Sequence, residues 1–454
     1  MENPNTTESN TQSVVVITGA SGVVGRALMS SLLQQGKQVR VVSRDPKRIQ
    51  QSLSSEVETG AYENIDEIMD GADAVIHLAA RNNDQGGDFN EFQRDNVDLT
   101  MQMARSAKSH RVSKFIYATT TKALTDKGGH YGRSKAIAER SLSALNCDEF
   151  KVSLARLCPV YGEGTRGKIR KLQNLPLGLG KLALWLVRSL VPIVSAERVA
   201  NELSNVIEAS DPLEEVCIAN PLGTFSVYRV FRAIMNFVFV VAVPTVLGLP
   251  CLIAGIAVAV TSSGGVFFIQ DRVGKKKKPF KLVKFRTMFT GTPNAGTHEV
   301  GKSYVTKVGA FLRKSKLDEL PQAWNVLKRE INLIGPRPCL ENQTELVNER
   351  QRYGVYDVRP GITGFGQVAG VDMSEPRRLA IHDHRYAAFR GILLDIKIAL
   401  KTIRGGGFGD PVGGDTSSAS RQSSSGPHFE SSGSEGETSE RTNLDSVESM
   451  GGQK

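Results

Sequence analysis

From Val14 onward the chain alternates short apolar runs with helical patterns. VVVIT (14–18) is a continuous apolar run closed by GASGVVG, after which Ala27, Leu28, Leu32 and Leu33 recur at helical spacing. Unbroken apolarity of this length marks a strand covered on both faces, as in a parallel sheet. QVRVVSR, ADAVIHLAA (72–80) and KFIYATT (114–120) repeat the motif, and the alternation predicts an α/β fold with a doubly wound parallel sheet. The stretch between Leu175 and Val194 is apolar with Lys181 and Arg188 interspersed. It predicts a core helix first, and a helix resting on a membrane surface second. No charged residue occurs from Ala233 to Gln270, which exceeds the ~20 apolar residues needed to cross a bilayer. Pro244 and Pro250 interrupt that segment, each removing an amide donor and disfavouring a straight helix. Downstream the pattern becomes mainly helical and dense in charge, and from Gly405 it is Gly/Ser-rich, acidic and without a core-forming face.

Length and charge narrow the picture. A chain of 454 residues can bury more than one core and carry more than one activity. The formal net charge of +10 points to anionic partners. The charge is placed tellingly. Arg229 and Arg232 precede the apolar segment, and Arg272, Lys275, Lys276, Lys277, Lys278, Lys281, Lys284 and Arg286 follow it. Basic flanks at both ends predict that both lie in the cytosol, so that the segment dips in and returns as a re-entrant helix, with a kinked helix crossing the bilayer as the alternative. Without interleaved aromatics, this is a lipid-facing pattern and excludes nucleic acid as the partner. The five cysteines are scattered and show no C-x-x-C pair, which argues against a disulfide frame or zinc site and for a reducing compartment. The first dozen residues lack the basic start and apolar core of a signal peptide and read as a disordered lead.

The glycine turn carries the first candidate chemistry. Gly19, Gly22 and Gly25 allow a tight turn and close approach of a pyrophosphate to the start of a helix. The second apolar run ends in Arg44, where an acidic residue would normally meet a free ribose 2′-hydroxyl, so the position favours NADP(H) over NAD(H). From Ser13 to Pro221 the chain resembles the extended short-chain dehydrogenase/reductases, the group of nucleotide-sugar epimerases, dehydratases and 4-keto reductases. The resemblance rests on GASGVVG, HLAA, Asn96 in RDNVDLT, Tyr131 and Lys135 in YGRSK, and PVYGEG at 159–164. It implies Tyr131 as general acid/base, Lys135 as the cation that lowers its pKa, Thr120 as the hydroxyl orienting the substrate, and Asn96 beside the cofactor. A Tyr hydroxyl titrates near pH ~10, so proton exchange at neutral pH needs such a cation. A domain that keeps the fold and only binds a sugar or partner stays open as the alternative.

The second constellation lies between Val266 and Arg404: FFIQDRVG, KFRTM, RKSKLDELPQAWNVL, GPRP, RPGITGFGQV and DHRY. In this order, from about Arg229, the motifs resemble the bacterial sugar transferases, the monotopic phosphoglycosyltransferases that begin O-antigen, capsule and exopolysaccharide assembly. The resemblance implies that Asp318 attacks a nucleotide sugar and holds the phosphosugar until undecaprenyl phosphate takes it. It also gives Arg359, Asp383 and Tyr386 as further family positions. Phosphoryl-transfer chemistry calls for Mg2+ bridging the diphosphate and the catalytic pair Asp318 and Glu319, with Glu319 supporting the ion or handling the acceptor proton. An attacking carboxylate can approach a diphosphate only among cations, and Lys284, Arg286, Arg313 and Arg337 are the candidates. His382 and His384 read as surface residues, because no third ligand stands near them in sequence.

Together these features predict five parts: a disordered lead (1–12), an NAD(P)-binding domain (13–222), a linker and re-entrant membrane helix (223–270), a compact mainly α catalytic domain (271–404) and a disordered acidic tail (405–454). The expected partners are a UDP-sugar, undecaprenyl phosphate and membrane lipid on the cytosolic face of a bacterial inner membrane, with a homodimer compatible with this scheme.

Overall fold

The computed structural model describes residues 12–52, 57–165, 168–173, 175–176, 179–222, 227–292 and 302–405. All but one residue of the expected lead, and all but one of the expected tail, lie outside them. The N-terminal half contains β1 (Val14–Thr18), β2 (Gln38–Val42), β3 (Glu58–Gly60), β4 (Ala74–His77), β5 (Lys114–Thr120), β6 (Lys151–Leu157), a short pair β7 (Val160–Tyr161) and β8 (Val194–Ser195), and β9 (Glu215–Ile218). A seven-stranded sheet forms in the order β3-β2-β1-β4-β5-β6-β9, every pair parallel. Successive side chains of a strand point to opposite faces. Val15 and Ile17 therefore pack into one layer with Leu28 and Leu32 of α1 (Val23–Gln34), while Val14 and Val16 enter the other with Phe115 and Tyr117. Each fully buried side chain of this kind stabilises by roughly 1.5–3 kcal/mol, which is why the strands read as unbroken apolar runs.

Strand order reverses between β1 and β4, and a crevice at such a switch point is the usual ligand position in doubly wound sheets. α2 (Gly129–Ser143) carries Tyr131 and Lys135 along the same edge. The stretch after PVYGEG folds into α3 (Leu179–Leu190), of which only Gly180 and Ser189 are buried. The expectation of a core helix is thus corrected: among the described residues no second apolar layer covers its leucines. α4 (Ala196–Glu208) returns to the sheet through Val199 and Leu203.

The uncharged segment is not one straight helix. It forms α5 (Val227–Thr245) and α6 (Gly248–Thr261), broken at Val246–Leu247, with Pro250 in the first turn of α6 where its missing amide costs little. The best window of α5 has a mean hydropathy of 1.6 and is only 6% buried. Both arms rest on the same domain: Phe239 and Val240 of α5 against Phe280 and Val326, and Ala254 and Val258 of α6 against Phe285 and Leu312. Beyond them β10 (Phe267–Val273) and β11 (Pro279–Phe285) pair antiparallel around the lysine run, where Lys276 and Lys277 adopt positive φ. The remainder is mainly helical, with α7 (Lys307–Ser315), α8 (Thr344–Arg352), α9 (Pro376–Phe389) and α10 (Ile392–Ile403), plus a parallel pair, β12 (Asn332–Ile334) and β13 (Gly361–Thr363).

The two halves meet where α9 covers β9, the edge strand of the large sheet. Phe389 joins the N-terminal core, and Leu213 packs with Tyr353 and Ala380. His384 is an interface residue rather than a surface one. Its Nε2 accepts the Cys217 amide of β9 at 3.1 Å, and its other ring nitrogen bonds the Tyr353 carbonyl, so an otherwise open edge is capped. Arg385 donates twice to Glu215, each bond 2.7 Å. From the opposite side Arg156 donates to Glu215 at 2.8 and 2.9 Å and to Glu139 of α2 at 2.9 and 3.0 Å. Glu215 is desolvated, but the two guanidiniums hold it well below the usual carboxylate range.

Candidate functional site

Asp318 and Glu319 lie in a 3-10 turn, Leu317–Gln322, that follows α7 after a left-handed residue, Lys316 (φ 57°). Asn325 fastens this turn to β11, accepting from the Val283 amide at 3.1 Å and donating to the Lys281 carbonyl at 2.7 Å. The strand thus delivers Lys284 to Asp318. Asp318 is only 7% exposed. Burial, then the neighbouring Glu319, push its carboxyl up to about 6, against the pull of Lys284, Arg313 and Arg337. Lys284 is pushed down to about 8 by burial and by Arg272, Arg313 and Arg337, with Asp318 opposing. Arg313 donates from Nε to the Thr287 hydroxyl at 3.1 Å, and Arg337 donates to Glu319 at 2.8 Å. A buried acid that retains substantial ionised character at neutral pH, ringed by fixed cations, is suited to attack an anionic phosphorus centre.

The other predicted residues separate into three places. Arg286 stays at the rim of the cluster, donating to the Gly265 and Phe267 carbonyls and lying, like Lys284, over the Phe268 ring. Arg359 is not beside Asp318. It lines a cavity of about 760 Å3 alongside α5 with Arg229, Arg232, Lys275, Arg329 and Arg390, and its electrostatic neighbours are Arg232 and Arg329. Asp383 is buried beneath the site, where Arg350 donates to one of its oxygens at 2.9 and 2.6 Å. Arg350 also donates to the Arg337 carbonyl at 2.8 Å, so this pair supports the backbone of a cluster residue. Tyr386 is interior too, donating to Asp395 at 3.0 Å. Sequence alone does not single out Arg350, Asn325 or Thr287. Arg350 looks like any charge in the run NERQR, and only packing reveals that it points inward.

Asp318 and Glu319 could hold magnesium in the manner usual for that ion, through two carboxylates completed by substrate phosphate and water. Among the described residues no group of three or more His, Cys, Asp or Glu side chains could hold a metal by itself.

In the N-terminal half, Gly19 turns at φ +72°, and a Cβ there would sit 2.8 Å from the Ala79 amide nitrogen. Gly25 presses on the same turn, since a Cβ would come within 2.3 Å of the Gly19 carbonyl. Gly22 is the N-cap of α1. The turn is therefore a bare backbone cradle at a helix start, and it fits a dinucleotide pyrophosphate. Arg44 is exposed two residues past β2, with Asp45 next to it. Asn96 is fully buried, bonding both backbone groups of Arg81 and the Ser134 hydroxyl. It ties the loop after β4 to α2. Burial pushes the Tyr131 phenol up to about 12, with the neighbouring Thr120 hydroxyl opposing. Lys135 donates to the Ala118 carbonyl at 2.9 Å, lies 4.3 Å over the Tyr117 ring, and is pushed down to about 7 by burial, with Glu139 opposing.

Comparison with known proteins matches residues 227–407 to the bacterial sugar transferase family and residues 15–185 to the NAD dependent epimerase/dehydratase family. The exopolysaccharide production protein ExoY of Sinorhizobium fredii is 31% identical over 42% of this chain and 89% of its own length. An uncharacterized sugar transferase, EpsL of Bacillus subtilis, is 40% identical over 31% of this chain and 68% of its own length. The UDP-N-acetylgalactosamine-undecaprenyl-phosphate N-acetylgalactosaminephosphotransferase of Aeromonas hydrophila is 33% identical over 47% of this chain, which spans about half (52%) of that relative's length. Among solved structures, the UDP-N-acetylglucosamine 4-epimerase of Bacillus cereus is 17% identical over 50% of this chain and 81% of its own, with a TM-score of 0.37. WbmG of Bordetella bronchiseptica, solved with NAD, is 18% identical over 51% and 80%, with a TM-score of 0.38. With a sugar transferase domain covering residues 227–407 and an NAD dependent epimerase/dehydratase domain ahead of it, the chain belongs to the bacterial sugar transferases.

Proposed function

We propose that the chain transfers a sugar 1-phosphate from a UDP-sugar to undecaprenyl phosphate at the cytosolic face of the bacterial inner membrane. The observation that carries this is the buried Asp318 carboxyl, raised to about 6 among Lys284, Arg313 and Arg337, on a domain that also holds two apolar helices. A carboxylate oxygen of Asp318 attacks the phosphorus that bears the sugar. The P–O bond to the bridging oxygen breaks, UMP leaves with the electron pair, and a phosphosugar remains on Asp318. An oxygen of undecaprenyl phosphate then attacks the same phosphorus, the P–O bond to Asp318 breaks, and the carboxylate returns. Lys284, Arg313 and Arg337 neutralise the oxygens during both steps. Magnesium held by Asp318 and Glu319 would add further charge neutralisation. Arg286 guides the donor at the rim, and Arg359 gathers the acceptor phosphate on the lipid side. Asp383 acts through Arg350 to position Arg337.

The break between α5 and α6, with both arms on one domain, supports a re-entrant segment that keeps both halves in the cytosol. There the N-terminal domain would bind a nicotinamide cofactor at Gly19, Gly22 and Gly25, NADP(H) in preference to NAD(H) because of Arg44. We assign it the 4-reduction or epimerisation of the sugar donor, with Tyr131, Lys135 and Thr120 in the proton-handling roles and Asn96 as a positioning residue. The geometry of Lys135, turned to the Ala118 carbonyl, favours a second reading in which this domain binds a sugar nucleotide without turnover. A change in NAD(P)H absorbance during turnover separates the two. The transfer itself is tested by UMP release from a panel of UDP-sugars with undecaprenyl phosphate and magnesium, on nanodisc-held protein. Wild type releases UMP and Asp318→Ala does not; undiminished release by the variant would overturn the assignment.

A further inference from the structure

We propose that α3, a helix of the dehydrogenase-like half, lies in the membrane interface and holds that half on the bilayer by its own lipid contact. The inference rests on the membrane reading of α5 and α6 and extends it to the N-terminal domain. Leu179, Leu182, Leu186 and Leu190 recur at spacings of three and four, so they share one face of the helix. All four are 43–51% exposed, and Trp185 beside them is 41% exposed. Lys181 and Arg188, seven residues apart, lie on the other side of the helix. A leucine face left in water loses about 25 cal/mol for every Å2 of apolar surface that burial would have removed. A contiguous exposed patch of this kind marks a membrane or protein interaction surface.

Position decides what covers it. α3 packs beside α5, whose most apolar window is 6% buried, and beside α10. The contact with α10 is close: a Cβ on Gly391, the N-cap of α10, would stand 3.0 Å from the Leu190 carbonyl. Arg188 donates to the Pro221 carbonyl at 2.9 Å, tying α3 to the chain just before α5. α10 in turn exposes Leu393, Leu400 and Ile403, the last at 82%, and α5 exposes Ile234 and Phe237. α3 therefore stands beside two helices that also expose large apolar side chains, one of them the helix read as membrane-seated. A helix with leucines on one face, a tryptophan at the margin and basic residues opposite is built for the headgroup boundary. Exposed Lys181 is the basic head placed to reach lipid phosphates, while Arg188 holds the helix to the chain before α5.

The test uses the full chain carrying Trp324→Phe, which leaves Trp185 as the only tryptophan of the two in the sequence. The protein is reconstituted in vesicles of phosphatidylethanolamine and phosphatidylglycerol, with or without bromine on the acyl chains. Brominated lipid is expected to quench Trp185 about twofold or more, while acrylamide in the aqueous phase has little effect. Leu182→Glu with Leu186→Glu in the same background is expected to reverse that preference, while α5 and α6 still float the protein with the vesicles. Strong acrylamide quenching without bromolipid quenching, in protein that floats, would overturn the role of α3 alone. Shielding from both quenchers would mean that another protein surface covers α3, which also overturns it. Protein that fails to float would remove the membrane reading and this inference together, whereas the UMP assay reports on transfer chemistry independently.

Discussion

Asp318 and Lys284 set opposite limits on the same step. Asp318 attacks only when ionised, and with its carboxyl near 6 the rate of UMP release in a single turnover is expected to fall tenfold per pH unit below that value. Lys284 neutralises charge only when protonated, and with its ammonium near 8 the rate falls again above it. A pH–rate profile checks this bell. Lys284→Arg should remove the alkaline limb, since a guanidinium does not titrate there. The role of Asp383 is checked differently. Asp383→Asn leaves the Arg350 charge buried with its ion pair broken, and thermal unfolding should register a loss of about 3–5 kcal/mol. At this scale the sequence reveals the reacting acid, because Asp318 sits in an ordered series of motifs. It does not reveal direction. DHRY and RPGITG place Asp383 and Arg359 near other charged motifs along the chain, but tertiary packing turns one inward to Arg350 and the other toward α5.

Elements are legible in the sequence wherever one physical demand governs them. Strands buried on both faces must be apolar throughout, so the runs that become β1, β4 and β5 announce themselves. Helix α3 does not, because an apolar helix with two basic residues satisfies a core and an interface equally, and only its neighbours decide. Gly309 is another detail that periodicity conceals. It lies in the first turn of α7, and a Cβ there would come within 2.0 Å of the Thr287 carbonyl. Thr287 is also the residue whose hydroxyl receives Arg313. Gly309→Ala should therefore lift α7 from the end of β11, cost about 1–3 kcal/mol as overpacking does, and carry Arg313 away from Asp318. The expected signature is a loss of kcat larger than the loss of thermal stability would suggest.

For the whole molecule, Glu215 joins the two halves. It receives Arg385 from the transferase side and Arg156 from the sheet, and Arg156 continues to Glu139 on the helix that bears Tyr131 and Lys135. Because the folded-state pKa of Glu215 is depressed, its contribution is present above the ordinary glutamate range and is lost as pH falls through the folded value. Removing the carboxylate leaves two guanidiniums facing each other. Glu215→Ala is expected to replace a single calorimetric unfolding transition with two, as the halves uncouple. One unchanged transition would show that Phe389, Leu213 and His384 suffice to dock them. Sequence gives no hint of this junction, since the partners lie 59 and 170 positions apart and each belongs to a separate motif context.

The most direct test of the account is mass spectrometry of the protein after exposure to its UDP-sugar without any polyprenyl phosphate. The account predicts a phosphosugar on the peptide containing Asp318, absent in Asp318→Ala and discharged when undecaprenyl phosphate is added. Robust UMP release that occurs only with both substrates present, leaving no adduct at any stage, would contradict it and require direct transfer between donor and acceptor.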